Sequence, residues 1–96
     1  MKKENSEEAG WRGFLELCVE MKNLKDFDAL LNLFLTAEER VALATRFLIV
    51  RELLKGEKTQ REMAKVLKVS IAKITRGSNF LKTISPDLKK LLKNLC

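Results

Sequence analysis

The chain has 96 residues, of which 46% are hydrophobic and 33% are charged, a balance typical of a folded domain and not of a disordered segment. At this length we expect a single domain over residues 1–96, with a modest core that association with a second copy would enlarge. Histidine, the commonest general base, is absent. The sequence also shows no carboxylate pair, no phosphate-binding glycine loop and no nucleophile with an adjacent base. We therefore expect neither an enzyme nor a metal site.

The segments that would direct a protein to a membrane or out of the cell are also missing. No charged segment leads into an apolar run at the N-terminus, and no apolar run is long enough to span a bilayer, so we expect a cytoplasmic protein. Cys18 and Cys96 lack metal-ligand spacing. We expect Cys18 in the core and Cys96 exposed.

Two helices are predicted in the first third of the chain. After a loose polar arm over residues 1–8, the first covers about residues 7–23 and has an apolar stripe that includes Trp11, which favours core packing for this side chain. The second covers about residues 26–34, with Asp26 as its expected cap, and is apolar on more than one face. A short helix of this kind needs covering on two sides, which indicates a partner subunit.

The third predicted helix begins at a capping box formed by Thr36 and Glu39 and runs to Lys55, with Gly56 as its stop. Apolar residues cover more than one of its faces, so we expect it to be central and buried by several neighbours. Arg46 interrupts this apolar surface. Its guanidinium must either reach solvent or meet an anion.

Residues 59–82 predict a helix-turn-helix. Thr59 and Glu62 form a second capping box, Ser70 caps the next helix, and the turn between the two helices is short. Lys68 is expected to adopt a positive φ in this turn, at a cost of about 1 kcal/mol relative to glycine. In such a unit the second helix enters the DNA major groove. Beyond it, Ser85 and Pro86 predict the start of a sixth and final helix.

The charge of the chain is concentrated on this unit. Residues 55–82 contain eight Lys and Arg against two acids, which equals the formal net charge of the whole chain, +6. A localised basic surface on a helix pair is typical of proteins that bind the phosphate backbone. A solvated basic face without a partner is the alternative.

From Leu30 to Leu92 the sequence resembles the bacterial tryptophan repressor family, on LLNLFLTAEER, on RELLKGEKTQRE and above all on ITRGSN at residues 74–79. The resemblance runs without gaps, and the family is itself a known example of docking by a helix-turn-helix. It implies an all-α, six-helix fold and an interlocked homodimer. It also implies a repressor that binds operator DNA when L-tryptophan, its corepressor, is bound, and so shuts down genes of tryptophan synthesis or uptake.

The resemblance also implies the corepressor site. Arg46 and Arg76 match the two arginines that sandwich the indole, and Arg76 with Thr36 matches the groups that hold the carboxylate. The backbone carbonyls of Leu33 and Leu35 match those that accept from the ammonium. Gly77 matches the residue that leaves room for the ring.

Two positions of this predicted site depart from the family. Phe80 stands where a serine near the ammonium is common, and Lys73 where a threonine is common. The loss of one polar contact would weaken binding by about 1–3 kcal/mol. Phe80 would alternatively tighten the apolar wall or shift the preference among indole compounds.

For DNA, Gln60 and Arg61 match backbone-contacting positions of the family. The front of the second helix, which would meet base edges or bridging waters, carries Ile71, Ala72, Lys73 and Thr75, and Arg76 follows. Ala64 stands where many relatives have lysine, and Lys65 and Lys68 are placed to supply that charge.

The sequence leaves other functions open. A protein of the same fold with another effector, or with none, is the nearest alternative, and Lys73 and Phe80 keep it open. The DNA-binding domain of the replication initiator has a similar fold but is normally joined to an ATPase, which this sequence lacks. A helical interaction module without DNA binding would not need its charge gathered on one motif.

Overall fold

A computed structural model of the protein describes residues 6–95. Over that range the chain is all-helical, without strands, and the helices are α1 (Ser6–Glu20), α2 (Leu24–Phe34), α3 (Ala37–Lys55), α4 (Gln60–Leu67), α5 (Ile71–Leu81) and α6 (Pro86–Leu95). The predicted all-α class and the six helices are confirmed. The chain divides into two compact units, Met1–Arg40 and Val41–Cys96. The single domain expected from the length stays a prediction.

The beginning of α1 differs from the prediction. Of the loose arm expected over residues 1–8, the first five residues lie outside the described range, and residues 6–8 already belong to the helix. The exposed position expected for Cys96 also lies outside that range.

The start of α2 shows that the predicted cap was wrong by three residues. Asn23 is the cap, and its side-chain oxygen accepts from the backbone N–H of Asp26 at 2.8 Å. The Asn23 amide in turn donates to the Asp26 carboxylate at 3.0 Å. An asparagine oxygen satisfies the free N–H of the first turn, while a carboxylate within that turn suits the positive end of the helix, so the two residues share the N-terminus.

In the N-terminal unit, aromatic side chains join α1 to α2. Trp11 stacks on Phe14 with ring centroids 5.9 Å apart, and Phe14 meets Phe34 edge-on at 5.5 Å. Trp11 nevertheless stays 62% exposed, and Cys18 is only half-buried, so the core positions predicted for both are not reached within one chain. Their apolar surface therefore stays accessible in the single chain.

Both ends of α3 confirm the prediction. The Thr36 backbone N–H donates to Glu39 Oε1 at 2.8 Å, and the Glu39 N–H donates to Thr36 Oγ1 at 3.1 Å. At the other end, Gly56 has φ +67°, the left-handed conformation that terminates helices.

The burial predicted for α3 is not found within one chain. This helix buries Ile49, whereas Val41 and Phe47 remain more than half exposed. The several neighbours expected around α3 are therefore not all present within the described part of one chain.

The core of the C-terminal unit lies where α3, α4 and α5 meet. Ile49, Met63 and Ile74 are buried, one from each helix. Leu53, Ala64, Leu67 and Val69 pack against them. Ala64, a small residue, therefore lies at the contact between these helices.

The connection between α4 and α5 has the predicted chemistry. Thr59 and Glu62 form the capping box of α4, and the Ser70 side chain accepts from the Lys73 N–H at the start of α5. Lys68 has φ 57° and ψ 46°, the left-handed conformation expected for it. The backbone N–H groups of Lys68 and Val69 both donate to the carbonyl of Ala64, which closes the end of α4.

None of the described helices is both long enough and apolar enough to cross a membrane.

Candidate functional site

A cavity of about 200 Å³ lies between α3 and α5 in the C-terminal unit. Three cationic side chains line it, Arg46, Lys73 and Arg76. The rest of the lining is apolar or hydroxyl-bearing: Ala42, Thr45, Ile49, Val50, Gly77 and Phe80. The volume and the apolar walls suit a small aromatic molecule, and the cations suit an acidic group on it.

Helical spacing brings these residues to one place. On α5 the lining residues recur at intervals of three and four from Lys73 to Phe80, which puts them on one face of the helix. Those of α3 recur in the same way from Ala42 to Val50. Two facing stripes therefore form the cavity, one from each helix.

Gly77 allows α5 to lie close to α3. A Cβ atom at this position would be 3.0 Å from Ile49 Cγ2 and 3.4 Å from Leu53 Cδ1. Ile49 is 2% exposed and belongs to the core, so it has little freedom to move away. The resemblance implied only that Gly77 leaves room for a ring, and the structure adds a packing reason for the glycine.

The structure brings five of the predicted corepressor residues together: Arg46, Lys73, Arg76, Gly77 and Phe80 all line this cavity. Leu33, Leu35 and Thr36 belong to the N-terminal unit, at the end of α2 and before α3. Thr36 Oγ1 already accepts from the Glu39 N–H, but its hydroxyl hydrogen can still be donated. Leu33 and Leu35 lie where a helix leaves its last carbonyls without intrahelical partners.

The sequence interpretation missed four residues of the lining: Ala42, Thr45, Ile49 and Val50. Thr45 and Ala42 contribute to the cavity wall on the Arg46 side, and Thr45 carries a hydroxyl there. The register of α3 could have identified all four, because they and Arg46 recur at intervals of three and four residues and so fall on one face of the helix.

The residues predicted to contact DNA all lie on α4, on the turn after it, or on the first half of α5. Gln60 is half-buried, and the other predicted contact residues are exposed: Arg61, Lys65, Lys68, Ile71, Ala72, Lys73, Thr75 and Arg76. An exposed basic surface on two adjoining helices can reach the phosphates of a duplex.

Positive charge is gathered on this half of the chain. Residues 41–96 contain thirteen Lys and Arg and four acids, whereas residues 1–40 contain six and nine. One of the four acids, Glu52, is paired with Lys58 at 3.2 Å and with Lys55 at 3.9 Å. The hydrogen bond from Lys58 lowers the pKa of Glu52, so this carboxylate stays ionised and offsets part of the charge of the two lysines.

Glu62 is held in the same ionised state at the start of α4. The Thr59 backbone N–H donates to its carboxylate at 3.0 Å, and this bond, followed by the Thr59 side chain, lowers the pKa of Glu62. The Glu62 carboxylate is therefore part of the capping box that stabilises the start of α4.

A second, open cavity of about 530 Å³ runs along α5. Its lining is Ile71, Ala72, Thr75, Arg76, Asn79, Phe80 and Thr83. Arg76 and Phe80 line both cavities. The two cavities therefore share one cationic and one aromatic side chain.

A basic helix pair and an apolar cavity lined by cations are features of a ligand-binding transcriptional regulator. Comparison with known proteins defines the family. The sequence profile of the family described as "Trp repressor protein" matches residues 9–96. The chain belongs to this family of transcriptional regulators, which are not enzymes, and the predictions of the family and of a non-enzymatic protein are confirmed.

Individual relatives are similar over most of their length. The chain is 53% identical over 92 residues to a Trp operon repressor homolog of Chlamydia caviae, covering 96% of this chain and 91% of the relative. It is 51% identical over 88 residues to a protein of the same name from Chlamydia trachomatis serovar D, covering 92% and 94%. A Vibrio cholerae homolog is 44% identical over 85 residues, covering 88% and 82%.

Proposed function

We propose that the protein is a tryptophan-responsive repressor, which binds operator DNA as a homodimer when L-tryptophan occupies the cavity between α3 and α5. The observation that carries the proposal is that Arg46 of α3 and Arg76 of α5 line one small, otherwise largely apolar cavity. The names of the relatives, Trp operon repressor homologs, support tryptophan as the effector.

The chemistry of the cavity fits the amino acid. Guanidinium groups stack on aromatic faces, a contact worth about 0.5–2 kcal/mol with an indole. A charge-assisted hydrogen bond from an arginine to a carboxylate adds about 1.5–3 kcal/mol. The contribution of Leu33, Leu35 and Thr36 to the same ligand stays a prediction.

The shared side chains suggest how the ligand would act on DNA. Arg76 and Phe80 line both the effector cavity and the open cavity along α5. A ligand that stacks on Arg76 would favour one arrangement of the α5 surface, and it regulates only to the extent that it prefers the DNA-binding arrangement. Without the ligand, affinity would fall towards the non-specific, charge-driven level.

The apolar surface left exposed supports a homodimer. Trp11, Leu24, Leu33, Val41 and Phe47 are all more than half exposed in the single chain. Such an amount of exposed apolar surface is unusual for a monomer and typical of a protein that buries it against a second subunit. Two subunits would also present two α5 helices to successive major grooves, about 34 Å apart.

Isothermal calorimetry with L-tryptophan tests the proposal, with indole and L-phenylalanine as controls. We expect one site per chain, selective for L-tryptophan. Arg76→Ala should lose the stacking contact and the carboxylate bond together, about 2–5 kcal/mol, which corresponds to at least about thirtyfold weaker binding. The circular dichroism spectrum should be unchanged, because Arg76 is exposed and lies outside the core.

Arg61→Ala is the matched control, since Arg61 is exposed on α4 and is not among the residues that line the cavity. This variant should bind L-tryptophan like the wild type but bind DNA less tightly. Full tryptophan-dependent DNA binding by Arg76→Ala would refute the assignment of the cavity.

A related protein with another effector is the second candidate. The observation that favours it is that Lys73 and Phe80, the two departures from the family pattern, both line the cavity. Absence of heat with L-tryptophan, together with retained binding to DNA, would support this candidate.

A further inference from the structure

A hydrogen bond connects the predicted DNA-contacting surfaces of α4 and α5. The Thr75 hydroxyl donates to Gln60 Oε1 at 3.1 Å, across fifteen positions of the sequence. Gln60 is the first residue of α4, and Thr75 lies in the middle of α5. Thr75 is exposed and Gln60 is half-buried. The bond therefore lies at the edge of the exposed surface and not in the core.

This bond fixes which end of the Gln60 amide remains free. A glutamine amide has one carbonyl oxygen, which accepts, and one NH₂ group with two hydrogens to donate. Because Oε1 accepts from Thr75, the Nε2 group is left as a donor pair. A group restricted in this way favours an acceptor such as a phosphate oxygen.

We propose that Thr75 is a positioning residue for DNA binding, whose hydroxyl holds the Gln60 amide so that its Nε2 donors meet a backbone phosphate. The inference rests on the proposed DNA-binding function and gives Thr75 a positioning role in place of the direct contact with bases or bridging waters that the sequence interpretation assigned to it. Thr75 acts through Gln60 and makes no essential DNA contact of its own.

The benefit of such an arrangement is preorganisation. A free glutamine side chain has many rotamers and two orientations of its amide, and binding would have to select one. A hydrogen bond formed before DNA arrives removes most of that choice, which lowers the entropic cost of the contact. The Thr75 bond also joins the beginning of α4 to α5. A phosphate contact made by Gln60 would therefore depend on the positions of both helices.

A double-mutant cycle on the full-length protein tests the proposal. Fluorescence anisotropy would measure binding to a random-sequence duplex at low salt, since a phosphate contact does not depend on sequence. Thr75→Val removes the hydroxyl while keeping the size of the side chain, and should weaken binding about two- to tenfold, the effect of one hydrogen bond. Gln60→Ala should weaken it at least as much. The double variant should be no weaker than Gln60→Ala alone.

Three further measurements separate positioning from damage to the fold. Thr75→Ser keeps a hydroxyl and should restore most of the affinity. Thr83→Val makes the same chemical change at a hydroxyl that donates to its local Phe80 carbonyl, at 2.7 Å, and should leave the affinity within about twofold. The salt dependence of Thr75→Val should match that of the wild type, because no charge has been removed.

The outcomes are distinct. Thr75→Val with wild-type affinity would overturn the positioning role while the DNA-binding function stood. So would a double variant in which the loss from Thr75→Val is added in full to that from Gln60→Ala, since Thr75 would then act independently of Gln60. If the wild type bound no duplex, the proposed function would fail, and the positioning role would fail with it.

Discussion

Replacing Lys68 by glycine is expected to stabilise the protein, although it removes a whole side chain. Lys68 is the one described non-glycine residue with a positive φ, 57°. A left-handed conformation costs an ordinary residue about 1–2 kcal/mol, and glycine avoids this cost. Glycine has more conformational freedom in the unfolded chain, which lowers the free energy of unfolding by about 0.5–1 kcal/mol. The expected net gain in the free energy of unfolding is therefore about 0.5–1 kcal/mol.

Lys65→Gly is the matched control. Lys65 is exposed like Lys68 and carries the same charge, but it lies inside α4 with ordinary helical geometry. Glycine at an exposed helix position costs about 0.5–1 kcal/mol. The two variants should therefore change the free energy of unfolding in opposite directions, although they lose the same side-chain atoms. The difference between them should be about 1–2 kcal/mol.

Urea unfolding followed by circular dichroism, at a fixed protein concentration, would measure both variants. Fixed concentration matters because the proposed association with a second subunit would make the free energy of unfolding depend on protein concentration. If Lys68→Gly were destabilised to the same extent as Lys65→Gly, the left-handed conformation would carry no cost, and the interpretation of the turn would be refuted.

Two further predictions concern the core and a capping box. Ile74→Ala should lower the free energy of unfolding by about 2–5 kcal/mol, because Ile74 is 0% exposed, whereas half-exposed Ile71→Ala on the same helix should cost far less in the same urea experiment. Glu62 has a lowered pKa in the folded state, so its ionised form stabilises the protein above the ordinary value of 4.5, and this contribution is lost as the pH falls through the lowered pKa. Any stability advantage of the wild type over Glu62→Gln should therefore shrink between about pH 7 and about pH 3, and a constant difference would contradict this reasoning.

Features that depend on a few neighbouring residues could be predicted from the sequence. The capping boxes at Thr36 and Thr59, the cap at Ser70 and the left-handed Lys68 all involve groups within a few positions of each other. The wrong cap predicted for α2 also involved neighbouring residues, because Asn23 and Asp26 are both suitable cap residues. The hydrogen bonds between them make Asn23 the cap. The position of Arg46 within an apolar surface drew attention to it, and the family resemblance supplied its predicted role.

By itself, the sequence determined the six helices, the caps of α3, α4 and α5, and the concentration of positive charge on residues 55–82, because these follow from local backbone chemistry and from composition. Only the tertiary structure decided which side chains share a space. It placed Thr45 and Ala42 in the cavity with Arg76, and it joined Thr75 to Gln60. It also left Trp11 and Phe47 exposed, where the sequence predicted burial. The hydrophobic effect favours the burial of such side chains, but the sequence does not say which surface covers them, since burial depends on contacts between residues distant in sequence or on another chain.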